Sequence, residues 1–322
     1  MLITLDKSIK ELHGIFEPYF SVQYLDSNNI SKESLKDSVA LIVRSTRKYG
    51  AETMLGTNVK FIGTVTSGFE HIDTKFCEKN GIFWTTAHGS NAKSVAEYVA
   101  AALAEISKKI NHSLNELSLG IVGVGAVGSK VKEEAENFGM RLLLCDPPKN
   151  LNDNIFDADI ITLHTPLEKD GEYPTYHLAN EDFFKKMKKG TWLINAARGA
   201  VCCSEALKQS LQCKHLGGAI IDVWENEPNI DESMLPLIEI ATPHIAGHSA
   251  AAKINAANLL IKSICEFFNI EELKNKSLPI LLPQNPSKGI YSIRKDDLDF
   301  RKEPKNFTEI RNRYNRFYIF TS

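Results

Sequence analysis

Several features that would narrow the class at once are missing from this 322-residue chain. Net charge is nearly absent: 38 Lys+Arg against 40 Asp+Glu leave −2, which argues against a general binder of nucleic acid or membrane surfaces. No apolar run approaches the ~20 residues that span a bilayer. The N-terminal stretch MLITLDKSIKELHGIF has no long apolar core behind a basic start, so it does not read as a secretory leader. Cys77, Cys145, Cys202, Cys203, Cys213 and Cys265 follow neither metal-ligand nor disulfide-scaffold spacing, which suggests a reducing compartment and no metal. Internal repeats and low-complexity segments are also lacking. What remains is the expectation of a cytoplasmic α/β protein, long enough for two domains with their own cores.

The informative stretch is LGIVGVGAVGSKV, a helical segment, then RLLLCD, over residues 119–146. An apolar strand runs into Gly123-x-Gly125-x-x-Gly128, and Asp146 ends the next apolar strand. The three glycines serve different ends. Gly123 permits the tight turn, Gly125 lets backbone approach a pyrophosphate, and Gly128 lets the helix pack close to the strand. Val127, between the last two, shares the helix N-terminus, where free N–H groups favour phosphate. Asp146 is placed to accept hydrogen bonds from an adenosine ribose and to repel a 2′-phosphate. Pro147 and Pro148 follow it rather than arginine. The expected cofactor is NAD rather than NADP.

Before this motif, LITL, SVQYL, VALIVRS, VKFIGTVTSG and GIFWTT read as short strands; after it, DIITLHTP, TWLINAARG, GGAIIDVW and EIATPHI do. Strands alternating with helices imply a parallel sheet covered on both faces. Two Ala-rich segments, 94–110 and 250–268, read as long helices bracketing the second set. The expected architecture is therefore a doubly wound Rossmann domain (93–248) inserted into a flavodoxin-like α/β substrate domain (1–92 plus 249–280). The active site is expected in the cleft between them. Proline-punctuated LPILLPQNPSKG then leads to a basic, aromatic-rich appendix, 281–322, with nine Lys+Arg against five Asp+Glu.

Three polar side chains fall at strand ends beyond the cofactor motif: Arg198 in INAARGA, Glu227 in DVWENEP and His244 in TPHIAGH. In open α/β sheets such positions border the ligand crevice. Arginine can grip a carboxylate in bidentate fashion. Histidine can take a hydroxyl proton near neutral pH, oriented by a neighbouring glutamate. With NAD, this set describes oxidation of a 2-hydroxy acid. Singly, each has a plain alternative: a surface ion pair for Arg198, a turn cap for Glu227, a satisfied core histidine for His244.

INAARGA, DVWENEP and TPHIAGH, in that order after GIVGVGAVG, strongly resemble the D-isomer-specific 2-hydroxyacid dehydrogenases. RLLLCDPPK, LHTPLEKDGEYPTYHL, IVRSTRK, FIGTVTSGFEHID and the tail stretches IYSIRKDDLDFRK and FTEIRNRYNRF resemble the branch that acts on 4-phospho-D-erythronate in pyridoxal phosphate biosynthesis. The resemblance implies Arg198, Glu227 and His244 as catalytic positions, with His244 the acid/base. It implies NAD contacts at Asp146, Thr165, Ala196, Ala197, Arg198, Asp222 and Gly247, with Asp222 at the carboxamide end. Substrate contacts are implied at Ser45 and Thr66. Arg44, Arg47 or Lys48 could meet the substrate phosphate, Arg294 from a partner's tail is a further candidate, and a homodimer held by the C-terminal element is expected. The chain departs from the branch at three places. His248 stands where tyrosine is usual, as a candidate phosphate donor; Cys202-Cys203 replace Val-Asp, so that Ser204 is expected to take over the helix N-cap; and the C-terminal element is shorter than usual. Rival readings are a 3-phosphoglycerate or glyoxylate enzyme of the same family, and a non-catalytic NAD-sensing scaffold.

Overall fold

Two compact units emerge in the computed structural model, which describes residues 1–274, 276–280 and 304–313. The first comprises Met1–Asn91 and Ala250–Leu282, the second Ala92–Ser249 and Pro283–Ser322.

In the first unit, strands β1 (Leu2–Asp6), β2 (Ser21–Leu25), β3 (Ser38–Val43), β4 (Phe61–Thr64) and β5 (Phe83–Thr86) form one parallel sheet in the order β2-β1-β3-β4-β5. The apolar runs of β1, β3 and β4 become buried strands because both faces of the inner sheet are covered, while the edge strands β2 and β5 stay partly exposed. Ile3, Leu5, Ala40, Ile42 and Phe61 pack on one face; Leu41, Val43 and Ile62 pack on the other. Helices α1 (Ala51–Met54) and α2 (Thr74–Lys79) are short. Asp73 caps α2 by accepting the Phe76 N–H.

The second unit opens with α3 (Ala92–Ile110), then β6 (Ser118–Val122), α4 (Ala126–Asn137), β7 (Arg141–Asp146), β8 (Leu151–Asn152), β9 (Ile160–Leu163) and α5 (Glu181–Lys186). It continues through β10 (Trp192–Asn195), α6 (Ser204–Gln212), β11 (Gly218–Ile221) and β12 (Ile240–Ala241). The sheet order is β12-β11-β10-β9-β6-β7-β8, parallel except for β8. That antiparallel edge has a local cause. Pro147 and Pro148 cannot continue the strand, and Asn150 in the left-handed region (φ 56°) turns the chain back. Alternate residues again face two cores: Ile160, Ile194 and Ile220 join α3 and α4, while Ile161, Leu193 and Ile221 join α5 and α6. Each such fully buried side chain contributes about 1.5–3 kcal/mol of transfer free energy.

The long helix α7 (Ala250–Phe268) returns the chain to the first unit, where Ala257, Leu260, Ile261 and Ile264 pack on Ile42 and Phe61. The four-residue helix α8 (Glu271–Lys274) follows. Within the C-terminal segment, α9 (Phe307–Arg313) is described. Phe307 is 2% exposed and lies in the second unit's core with Trp224, Met234 and Leu235, with Ile310 packed alongside. Arg294 falls outside the described residues. Among the described residues, no helix is long and apolar enough to cross a membrane.

Candidate active site

Sheet order sets out the candidate residues along one carboxyl edge. His244 follows β12, Glu227 follows β11, Arg198 follows β10 and Thr165 follows β9; the glycine turn follows β6 and Asp146 ends β7. Residues scattered over about 120 positions of sequence thus become neighbours by strand. β6 is flanked by β9 on one side and β7 on the other, the point of strand-order reversal where open α/β sheets bind ligands.

The glycine turn has the shape a dinucleotide needs. Gly123 adopts φ +85°, and a Cβ there would meet the His164 carbonyl and Thr165 N at 2.9 Å. A Cβ on Gly128 would fall 2.0 Å from the Gly123 oxygen, so helix and turn could not close on a larger residue. At Gly125 a Cβ would meet nothing within 4 Å; that glycine leaves room for a ligand rather than for protein. Beside Gly123 the Thr165 Oγ1 and His164 Nδ1 are buried without a hydrogen-bond partner among the described residues, polar atoms that a bound cofactor could satisfy. Burial pushes the His164 imidazole down to about 3 and keeps it neutral. Asp146 Oδ2 accepts the Val124 N–H at 2.8 Å, which fixes the carboxylate beside the turn. Lys149 donates to the Val124 carbonyl and lies 3.8 Å from the same carboxylate oxygen.

At the other end of the edge, Glu227 and His244 are paired. Glu227 Oε2 lies 2.7 Å from His244 Nδ1, and Glu227 Oε1 accepts the Trp224 N–H at 2.7 Å. Burial pushes the Glu227 carboxyl up, but the hydrogen bond and charge of His244, the Trp224 N–H and the Arg311 charge together outweigh it. The carboxyl is therefore held below the ordinary range and ionised at neutral pH. An ionised carboxylate only accepts, so Nδ1 carries the proton and the neutral ring presents Nε2 as its basic nitrogen.

The backbone beneath His244 is over-determined. His244 has φ 56°, a left-handed conformation that costs energy for a residue with a Cβ. Asp222, fully buried, offsets it: its carbonyl accepts the His244 N–H at 2.7 Å, its Oδ1 takes Thr242 Oγ1 and the Ile245 N–H, and its Oδ2 takes the Ala246 N–H. The Tyr98 hydroxyl on α3 reaches Thr242 Oγ1 at 2.7 Å, and Trp224 Nε1 donates to the Thr242 carbonyl. Asp222, expected at the cofactor's carboxamide, thus has its oxygens committed to the loop that carries His244. Thr242 opens TPHIAGH and Tyr98 lies in the Ala-rich segment read as a long helix; neither stood out by its residue type, and their hydrogen bonds reveal both.

Arg198 is half-buried, its Nη1 donating to the Ala197 carbonyl at 2.8 Å, with Asn195 bracing the turn at the Arg198 oxygen and the Ala197 nitrogen. Gly199 explains how this turn reaches the Glu227 loop: a Cβ there would lie 2.0 Å from the Trp224 carbonyl. Glycine at 199 is a packing requirement that sequence reading passed over inside INAARGA. Ala196 and Gly247 are buried or half-buried, and His248 is half-buried with its N–H on the Ile245 carbonyl.

The helix cap differs from expectation. Ser204 is the first residue of α6 rather than its cap, and Cys203 in the cap position makes no side-chain bond. The Ser204 N–H goes instead to Glu225 Oε2 at 2.8 Å, from 21 residues away. Glu225 Oε1 meets His177 Nε2 at 2.6 Å. Cys202 is buried, and burial pushes its thiol far up, so it is an inert core residue. Cys203 packs partly buried against the same core.

In the first unit, Ser45 is exposed just beyond β3, with Arg44 half-buried beside it and Lys48 exposed. Arg44 Nη1 reaches Ser8 Oγ at 3.4 Å. Thr66, beyond β4, donates to the Gly68 carbonyl and contacts Thr64 Oγ1. Arg47 is committed elsewhere: its guanidinium donates to the Ile30 and Ser27 carbonyls and lies over the Tyr49 ring. It braces the 27–30 turn instead of presenting a free cation.

Residues 87–246 match the family model described as D-isomer specific 2-hydroxyacid dehydrogenase, NAD binding domain. The erythronate-4-phosphate dehydrogenase of Bacteroides fragilis is 38% identical over 98% of this chain and 96% of its own length. That of Porphyromonas gingivalis is 38% identical over 98% of this chain and 92% of its own. The NAD+-bound crystal structure of 3-phosphoglycerate dehydrogenase from Entamoeba histolytica superposes with a TM-score of 0.71 at 25% identity, covering 88% of this chain and 99% of that one. The chain belongs to the D-isomer-specific 2-hydroxyacid dehydrogenases. It is an oxidoreductase, and its cofactor is NAD.

Proposed function

We propose that the protein oxidises 4-phospho-D-erythronate to (R)-3-hydroxy-2-oxo-4-phosphooxybutanoate, a step toward pyridoxal phosphate, in the cytoplasm and as a homodimer. The observation that carries the chemistry is the 2.7 Å contact between Glu227 Oε2 and His244 Nδ1, which leaves Nε2 basic. The relatives named erythronate-4-phosphate dehydrogenase, matched over nearly the whole chain, support the choice of substrate.

In this reading Arg198 grips the substrate carboxylate and orients C2, a role suited to a guanidinium fork. Nε2 of His244 takes the C2 hydroxyl proton as the carbonyl forms. Bound NAD supplies the hydride acceptor. Glu227 stabilises the imidazolium produced, and Asp222 keeps the His244 loop in place. Gly123, Gly125, Val127 and Gly128 cradle the pyrophosphate, Asp146 the ribose, and Thr165, Ala196, Ala197 and Gly247 border the cofactor. Ser45, Thr66 and Arg44 are the first unit's candidates for the phosphorylated end, with His248 a candidate from the second. Arg47, committed to backbone carbonyls, is set aside.

The test is NADH formation by the purified protein with 4-phospho-D-erythronate, 3-phosphoglycerate and D-lactate. The expected result is a kcat/KM for the erythronate phosphate about tenfold or more above either competitor, as for a site whose polar groups are matched by one substrate. Equal use of 3-phosphoglycerate would discard the substrate while keeping the chemistry.

A further inference from the structure

The C-terminal helix α9 bears on the reaction through the Glu227 loop. Phe307 is 2% exposed and fully embedded in the core that contains Trp224, whose N–H holds Glu227 Oε1. Ile310 packs on the same core. Arg311 lies four residues after Phe307 and one after Ile310, so all three share a helix face, and the Arg311 Nε is buried. Phe307 and Ile310 therefore seat α9 against the core that contains Trp224, with Arg311 following on the same helix face.

We propose that Arg311 is a positioning residue for the dehydrogenase reaction, a cation that α9 places by the Glu227 loop so that the carboxylate is held oriented on His244. Its electrostatic effect on Glu227 has the corresponding sign, adding to that of His244 and the Trp224 N–H against burial. Among the described residues, the titratable and charged groups on the elements packed about Glu227 include His244 from the loop after β12, Arg198 from the turn whose Gly199 meets the Trp224 carbonyl, and Arg311 from α9. On its own loop Glu225 is occupied by His177 and the Ser204 N–H, and Asp222 on the far side of His244 is saturated by Thr242 and two backbone N–H groups. Arg311 is a cation from outside the strand-end loops, on a segment that the cofactor and strand-end motifs do not include.

This inference rests on the reading of His244–Glu227 as the acid–base pair, and two readouts separate its failure from that of the reading. In the first, kcat/KM is followed against pH for the wild type, Arg311→Gln, Arg311→Lys, Glu227→Gln and the double variant Arg311→Gln/Glu227→Gln. Arg311→Gln should move the acid limb upward by about half a pH unit or more, the scale of one neighbouring charge, with the NAD dissociation constant unchanged. Arg311→Lys should return most of the shift. In the Glu227→Gln background, Arg311→Gln should add almost nothing, because its target is gone. In the second, the Glu227 carboxyl is titrated by carbon-13 NMR, which needs no turnover and should show the same upward shift. An unshifted Glu227 titration in a folded Arg311→Gln protein overturns the inference, as does an Arg311→Gln effect that persists in full without Glu227. Wild-type protein inert toward every 2-hydroxy acid, but with Glu227 responding to Arg311, would sink the functional reading and leave the electrostatic link standing.

Discussion

Two glutamates two positions apart on the loop after β11 each hold a histidine. Glu227 meets His244 at 2.7 Å and Glu225 meets His177 at 2.6 Å. Residue types match and the distances nearly do; the surroundings do not. The second oxygen of Glu225 caps α6 through the Ser204 N–H, and the His177 ring is stacked on Tyr176 with centroids 4.0 Å apart. That pair ties the 166–178 loop to a helix end. The second oxygen of Glu227 takes its own loop's Trp224 N–H, and His244 sits on a left-handed turn braced by Asp222 at the edge of the sheet. If Glu227–His244 is the reactive pair proposed above, what separates it from the structural one is where the remaining atoms of each are spent.

The strongest way to break this comparison is to remove each histidine. His244→Ala should lower turnover by about 10²-fold or more, the usual worth of general acid–base catalysis, with NAD affinity nearly unchanged. His177→Ala should leave kcat within a few-fold of wild type and cost roughly 1 kcal/mol of stability, as for one lost hydrogen bond. Steady-state kinetics and denaturant unfolding separate the two, and a large kcat loss in His177→Ala would dissolve the distinction.

A smaller effect concerns the contact between the Gly199 turn and the Trp224–Glu225 backbone. Gly199→Ala puts a methyl 2.0 Å from the Trp224 carbonyl. The backbone must move, at about 1–3 kcal/mol, and kcat/KM should fall with stability. Unchanged unfolding and kinetics would show that the approach of the two loops does not matter.

The smallest effect is in the pH dependence of folding. Burial raises the Glu225 carboxyl, but the bonds from His177 and Ser204 outweigh it and hold it below its ordinary 4.5. A carboxyl lowered in the folded state contributes stability above its unfolded pKa and loses it as pH falls through the lower folded value. Glu225→Gln should therefore reduce stability at neutral pH and flatten the decline below about pH 4.5. An acid-side slope as steep as wild type would show that Glu225 carries none of it.

Much of this was legible in one dimension. Apolar runs between turn residues marked the strands because a strand buried on both faces must be apolar throughout. The three glycines were readable from their spacing, and Gly123 and Gly128 meet protein where Gly125 meets none. INAARGA, DVWENEP and TPHIAGH fall at the ends of adjacent strands β10, β11 and β12. The two-residue β8 was missed, since LN has no period to read, and the remote cap of α6 by Glu225 replaced the local one expected of Ser204. Arg47, a sequence candidate for the substrate phosphate, donates to the Ser27 and Ile30 carbonyls.

Local chemistry, then, decided the element types, the dinucleotide turn and the residues available for catalysis, since backbone propensity and apolar period act over a few residues. Tertiary structure alone decided which glutamate serves which histidine, that Asp222, Thr242 and Tyr98 form one hydrogen-bonded chain across three elements, and that Phe307 seats α9 in the core that contains Trp224. Those outcomes depend on strand order and packing, which set residues from 20 to 144 positions apart side by side. A buried polar group takes whichever partner the fold presents.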